Sequence, residues 1–480
     1  MTTVPSALPT VLQGGMGVAV SGWRLAREVS RLGQLGVVSG TGIDTVLVRR
    51  LQDGDPGGHM RRAMSRFPVA DVAEAILDRY FIPGGRPPGT PYRRLPLLTV
   101  AGDRLQRGAL ALGAFVEVAL AKEGHGRPVG INLLAKIELA TLPTLYGAML
   151  AGVDVVLMGA GIPLEIPGAL DRLARGERAT LRVGVAGARR GDPPVETALD
   201  PAEFAGQDAP PASRPAFLPI VASHALASIM TKRANGSIEG FVIEGPTAGG
   251  HNAPPRGAAT FDASGQPVYG ERDAVDLDAV RALGLPFWLA GGTGSPERVR
   301  DALEAGASGV QVGTLFAYCD ESGLTDDLKR EVIAGARSGD IEVRTDPRAS
   351  PTGFPFKVVD LPGTASEAEV AQGRDRVCDL GYLREVYRTP SGELGYRCAS
   401  EPVDAYLHKG GTAEATEGRM CLCNGLLADV GMAQVQKGGR VEPPLLTSGD
   451  DLEHLGRFLA SRPDGAGYSA ADVIDYLLGD

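Results

Sequence analysis

The sequence predicts an α/β chain folded as a (β/α)8 barrel, and three observations carry that expectation. Eight short apolar runs recur through the first two thirds of the chain, without the polar alternation of a half-exposed strand. Helix-like segments lie between several of them. Most runs end in glycine or another small residue, which suits tight loops at one end of a parallel sheet. An open doubly wound sheet is the alternative, because strand order is not written in one sequence.

The runs are VLQGG (11–15), LGVVSG (35–40), VGINLL (129–134), DVVLMG (154–159), FLPIVAS (217–223), GFVIEG (240–245), PFWLAGG (286–292) and GVQVGT (309–314). WRLAREVSRLG follows the first and LPTLYGAMLAG the third. SPERVRDALEAGA separates the last two, with Ser295 placed as N-cap and Pro296 in the first turn. Two stretches break the rhythm. Residues 41–128 exceed a normal βα connection and include the Pro-, Gly- and Arg-rich FIPGGRPPGTPYRRLP, which reads as a lid or oligomer contact. Residues 181–216 hold one further strand, LRVGVAG, and then DPAEFAGQDAPPASRP, which reads as a flexible excursion. The expected division is a barrel over 1–321 and a C-terminal extension over 322–480, ending in a helix capped by Ser469 and Asp472.

The chain has 480 residues and a formal net charge of −10, with 43% hydrophobic and 22% charged residues. These values exclude wholesale disorder, a collagen-like repeat and a basic nucleic-acid binder. The start lacks a basic region followed by an apolar stretch, and GALALGAFVEVALA carries Glu117 and is too short to span a bilayer. A cytoplasmic protein with no nucleic-acid or membrane partner is the expectation. An assembly of identical copies is compatible with it.

Chemistry concentrates at the ends of the runs. Strand seven ends in Gly291-Gly292 and strand eight in Gln311-Val312-Gly313-Thr314. In a barrel these turns are neighbours, and their exposed N–H groups beside a helix N-terminus suit a phosphate. One Gly-Gly pair alone would mark only a turn. IEGPTAGGHNAPPRG (243–257) places Gly249 and Gly250 where the chain could pass close to a planar ligand, with His251 projecting into the mouth. Imidazole exchanges protons near neutral pH, so His251 is the candidate catalytic residue. His224 has a similar address without the glycines and reads as a packed loop histidine. QGGMG (13–17) puts Gly15 and Met16 at the first strand's end, against a ring or simply in the core. Asn132, a carboxamide in an apolar strand, must bond a backbone group or a ligand.

QGGMG, GINLL, IEGPTAGGH, LAGGTG and GVQVGT occur in an order and spacing that resembles the nitronate monooxygenases, formerly 2-nitropropane dioxygenases. The resemblance covers about 10–40 and 129–320. It implies a TIM barrel holding FMN and oxidising alkyl nitronates with dioxygen to carbonyl compounds and nitrite. It further implies that Asn132, Gly249, Gly292, Gln311, Val312, Gly313 and Thr314 contact FMN and that His251 is the active-site histidine. Glu244 stands where family members often carry Gln, and the two prolines after His251 depart from the usual continuation.

Four of the five cysteines, Cys378, Cys398, Cys421 and Cys423, fall close together in the tail. They could ligate a structural zinc or an iron–sulfur cluster, although CLC is not a CxxC knuckle, or they could be small core residues. Cys319 reads as packing. Beside nitronate oxidation, the same barrel motifs would suit an FMN-dependent enoyl-thioester reductase using NAD(P)H. A flavin-free barrel acting on a phosphorylated substrate and a non-catalytic scaffold are the remaining classes.

Overall fold

A computed structural model describes residues 8–206, 210–460 and 462–479 except 464 and 466. Eight parallel strands form the centre: β1 (Val11–Gln13), β2 (Gly36–Ser39), β3 (Val129–Leu134), β4 (Val155–Gly159), β5 (Ala216–Val221), β6 (Phe241–Glu244), β7 (Phe287–Ala290) and β8 (Gly309–Val312). Their order is β1-β8-β7-β6-β5-β4-β3-β2. Leu12 opposite Leu35 closes the ring, with Gln13 N–H donating to the Leu35 carbonyl at 2.9 Å. The barrel expected from the apolar runs is therefore the fold, and the open sheet is not.

Alternation along the strands sorts two cores. Leu12, Val37, Leu157, Leu218, Val242 and Trp288 fill the barrel interior. Val11, Val38, Ile131, Val156, Phe217, Ile243, Val310 and Val312 point outward into the layer beneath the helices. That layer includes α1 (Trp23–Arg31), α2 (Ile43–Gln52), α3 (Ala70–Tyr80), α4 (Arg104–Ala121), α5 (Glu138–Leu150), α6 (Ile166–Ala174), α7 (His224–Arg233) and α8 (Pro296–Glu304). Ser295 caps α8 as expected, accepting from Arg298 N–H at 3.3 Å.

Within residues 41–128 the chain forms helices over Ile43–Gln52, His59–Met64, Ala70–Tyr80 and Arg104–Ala121, and the Pro- and Gly-rich stretch over 81–103 stays outside helices. α4 is apolar almost all round and is buried between α2, α3 and α5 as the crossover from β2 to β3. Glu117, the charge within it, accepts from Trp23 N–H at 2.8 Å and pairs with Arg50. No helix among the described residues is long and apolar enough to cross a membrane. In the 181–216 stretch, LRVGVAG divides between Ala179–Arg182, paired antiparallel with Glu196–Leu199, and Val185–Ala186. DPAEFA forms a helix over Pro201–Ala205 capped by Asp200 rather than a loop, while positions 207–209 lie outside the described residues.

Beyond the barrel strands come α9 (Asp326–Ser338), the antiparallel pair β9 (Val343–Asp346) and β10 (Phe356–Val359), the hairpin β11 (Glu385–Arg388) and β12 (Leu394–Arg397), then α10 (Leu422–Ala428), α11 (Leu452–Ala460) and α12 (Ala470–Leu478). One apolar cluster runs from Val11 to Leu477 across position 321. α12 packs against α1 and α8, taking the place of the outer helix between the last and first strands. Ser469 and Asp472 form its capping box, as the sequence indicates.

Candidate active site

A cavity of about 230 Å³ opens at the C-terminal ends of the barrel strands. Gly15, Met16, Asn132, Glu244, Gly249, Gly250, His251, Gly291, Gly292, Gln311, Gly313 and Thr314 all line it. Val312 does not. Its side chain faces the outer layer, and its carbonyl is spent on the neighbouring strand, accepting from Gly14 N–H at 2.8 Å. Strand alternation decides this, since Gln311 and Gly313 take the inward positions.

Asn132 lies against Gly15. Its Nδ2 donates to the Gly15 carbonyl at 2.9 Å, and a Cβ on Gly15 would stand 2.3 Å from Asn132 Cβ. The carboxamide thus meets a backbone group with its nitrogen, while Oδ1 is buried without a partner. Gln311 Oε1 is in the same state. Glu244 is buried with no compensating charge, which pushes its carboxyl up to about 7. Gly291 and Gly292 both adopt left-handed backbone, φ 87° and 65°, so no side chain crowds that turn.

The tail completes the mouth. The 345–359 segment, whose job the sequence leaves open, crosses it: Asn252 N–H donates to the Pro355 carbonyl and Lys357 N–H to the Gly250 carbonyl, at 3.0 and 2.9 Å. Thr447 Oγ1 accepts from Gly250 N–H at 3.0 Å. A Cβ on Gly249 would meet Ser448 and Gly449 backbone at 2.8 and 2.9 Å. This glycine makes room for the chain's own backbone rather than for a ligand alone. Asp451, buried beside Gly294, accepts from the Thr314 hydroxyl and so brings a carboxyl into the two-loop grip. Burial holds that carboxyl above its ordinary range.

His251 is held on both sides. Its Nε2 lies 2.7 Å from Ser350 Oγ, and its ring meets Phe356 edge to face at 5.0 Å. Burial, helped by the Lys136 ammonium, lowers its pKa to about 3, so the imidazole is neutral at neutral pH. His224 instead opens α7 and does not line the cavity. Cys319 is fully buried, with its thiol on the Phe316 carbonyl.

The metal expectation is corrected. Among the described residues no group of three or more His, Cys, Asp or Glu side chains could hold a metal ion. Cys378, Cys398, Cys421 and Cys423 border one void of about 10 Å³, no larger than a water. Cys421 and Cys423 flank Leu422 at the start of α10, and side chains two apart there diverge. Cys421 turns to the Val377 carbonyl, whereas Cys423 packs beside Leu98 and Tyr382. Sequence reasoning missed Ser350, Tyr382, Asp451 and Lys136. Only Lys136 carried a signal, as a lysine just past the end of β3.

Comparison with known proteins bears on the second half of the barrel. Residues 206–350, which span β5 to β8 and carry Glu244, His251 and both glycine turns, match the family model described as nitronate monooxygenase. The chain is similar to the nitronate monooxygenases. Nitronate monooxygenase from Pseudomonas aeruginosa is 38% identical over 103 residues, 21% of this chain and 26% of that protein. A probable nitronate monooxygenase from Bacillus subtilis is 34% identical over 104 residues, 22% of this chain and 28% of that one. The matched stretch thus spans about a quarter of each relative. The solved structure of FabK from Thermotoga maritima covers 100% of this chain and 94% of its own at 17% identity, with a TM-score of 0.48.

Proposed function

We propose that the cavity holds FMN and that the protein oxidises alkyl nitronates with dioxygen, giving carbonyl compounds and nitrite. The supporting observation is the pair of orphaned acceptors, Asn132 Oδ1 and Gln311 Oε1, around a glycine-lined cavity at the barrel mouth. A buried acceptor without a partner is costly, and the N–H and hydroxyl groups of a flavin and its ribityl chain would satisfy both. Protonated Glu244 offers one donor and one acceptor, as a carboxamide does, so it can stand in for Gln at the ring edge. Gly291, Gly292, Gly313 and Thr314 would hold the phosphate, beside Asp451, whose carboxyl burial holds above its ordinary range.

FMN held by these residues would supply the electron acceptor for the electron-rich nitronate and the route of those electrons to dioxygen. The chain's own part is orientation. Neutral His251, fixed by Ser350 and Phe356, bonds the nitro oxygens of the substrate, because a ring held at about 3 is too weak a base to take an α-proton. It does not supply positive charge. The test is the visible spectrum of the purified protein with oxygen uptake on an alkyl nitronate. A yellow protein that consumes oxygen and releases nitrite supports the reading. A colourless protein, or NAD(P)H oxidation with an enoyl-thioester and none with a nitronate, overturns it.

A further inference from the structure

The barrel cavity has a neighbour. A second cavity of about 300 Å³ lies beside it, bordered by Lys136, Glu138, Phe354, Arg384 and Arg397. Tyr382 and Leu383 border both spaces, so the wall between them is thin.

Its charges are unevenly matched. Glu138 accepts from Gly184 N–H at 2.9 Å, and Glu385 pairs with Arg397 at 2.6 Å. Arg384 spends its N–H groups on the carbonyls of Gly381 and Leu98, at 3.3 and 2.5 Å. Lys136 Nζ is buried with no hydrogen-bond partner among the described residues, 3.0 Å from the centre of the Phe354 ring. The ring face offsets part of the desolvation cost, but an ammonium so placed still lacks an acceptor. Burial alone draws it down to about 7, a cost that a neighbouring oxyanion would reverse.

We propose that this vestibule is an anion subsite in which Lys136 holds a carboxylate or phosphate group, with Arg384 supplying a second positive charge. Phe354, Tyr382, Tyr396 and Tyr406 give the walls an apolar component suited to a short organic stem. The subsite stands apart from the choice of reaction at the flavin cavity. Its anion is either the far end of the substrate or a separate small molecule.

Calorimetric titration of the full chain with pentanoate, and with 1-pentanol as the uncharged probe, tests it. Pentanoate should bind one to one and outbind pentanol. Lys136→Met should weaken it by about tenfold or more, while Lys136→Arg stays within about threefold. Should Lys136→Met fail to fold, Arg384→Gln carries the same expectation of weakened pentanoate binding. Equal binding of the two probes, or pentanoate affinity untouched by these substitutions, overturns the subsite. Competition by pentanoate against the nitronate of 1-nitropentane places the anion on the substrate itself. Binding without competition makes it a separate ligand, and both results support the subsite.

Discussion

Two ionisable side chains near the mouth are shifted by burial, in opposite directions. His251 falls to about 3, so between there and 6.5 the unfolded chain binds the proton that the fold refuses. Its contribution to stability is therefore lost as pH drops through that window. Glu244 rises from 4.5 to about 7, so the fold keeps a proton that the unfolded chain releases. Its cost grows with pH across that interval. Glu244→Gln should accordingly stabilise the protein relative to wild type by an amount that increases from pH 5 to 7, at most about 1.4 kcal/mol per pH unit. Paired thermal melts across that range check it, and a pH-independent difference refutes the burial argument. His251→Asn should leave the flavin spectrum intact and cut turnover by about 10²- to 10⁴-fold, read as oxygen uptake. Unchanged activity would remove His251 from the proposed chemistry.

At the scale of elements, close backbone approach sets the packing. α4 and α5 cross where Gly147 lies over Ala111, and a Cβ on Gly147 would stand 1.9 Å from the Ala111 carbonyl. The atom there is backbone, so neither helix can yield without moving. Gly147→Ala should cost at least about 1–3 kcal/mol, despite the better helix propensity of alanine. A denaturant midpoint at or above wild type would show that the helices can part. Gly36 makes the same kind of contact with the Ala26 carbonyl between α1 and β2. Such glycines explain part of the high glycine content, which the sequence alone attributes to loops around a ligand.

Over the whole molecule, the tail is woven into the barrel. Asp450 N–H donates to the Thr247 carbonyl at 3.0 Å, and the Asp450 carboxylate pairs with buried Lys357. Tyr382 reaches back to Asp44 and Thr45 of α2. Leu455, Phe458, Tyr468, Val473 and Leu477 sit in the main apolar cluster. At about 1.5–3 kcal/mol for each large apolar side chain, removing α11 and α12 forfeits on the order of 10 kcal/mol, comparable to a domain's entire stability. Deleting 452–480 should thus abolish a cooperative thermal transition. A truncated chain that melts like the full one would mean the tail is an appendage.

The eight strands, the α8 and α12 caps and the inward residues from Gly15 to Thr314 were legible because they rest on local pattern: apolar runs, cap residues and glycines at run ends. Periodicity reports which residues want burial, and a barrel buries nearly every residue of its strands. What lies across the mouth was not legible. Ser350 beside His251, Asp451 in the grip and Lys136 under Phe354 are pairings between segments far apart in the chain, and no spacing rule encodes them. The same holds for the cysteines, because no spacing rule encodes that Cys421 and Cys423 diverge at the start of α10. Local free energies select the strands and helices, whereas the protonation and partners of the cavity groups depend on burial that exists only once the tail has closed over the barrel.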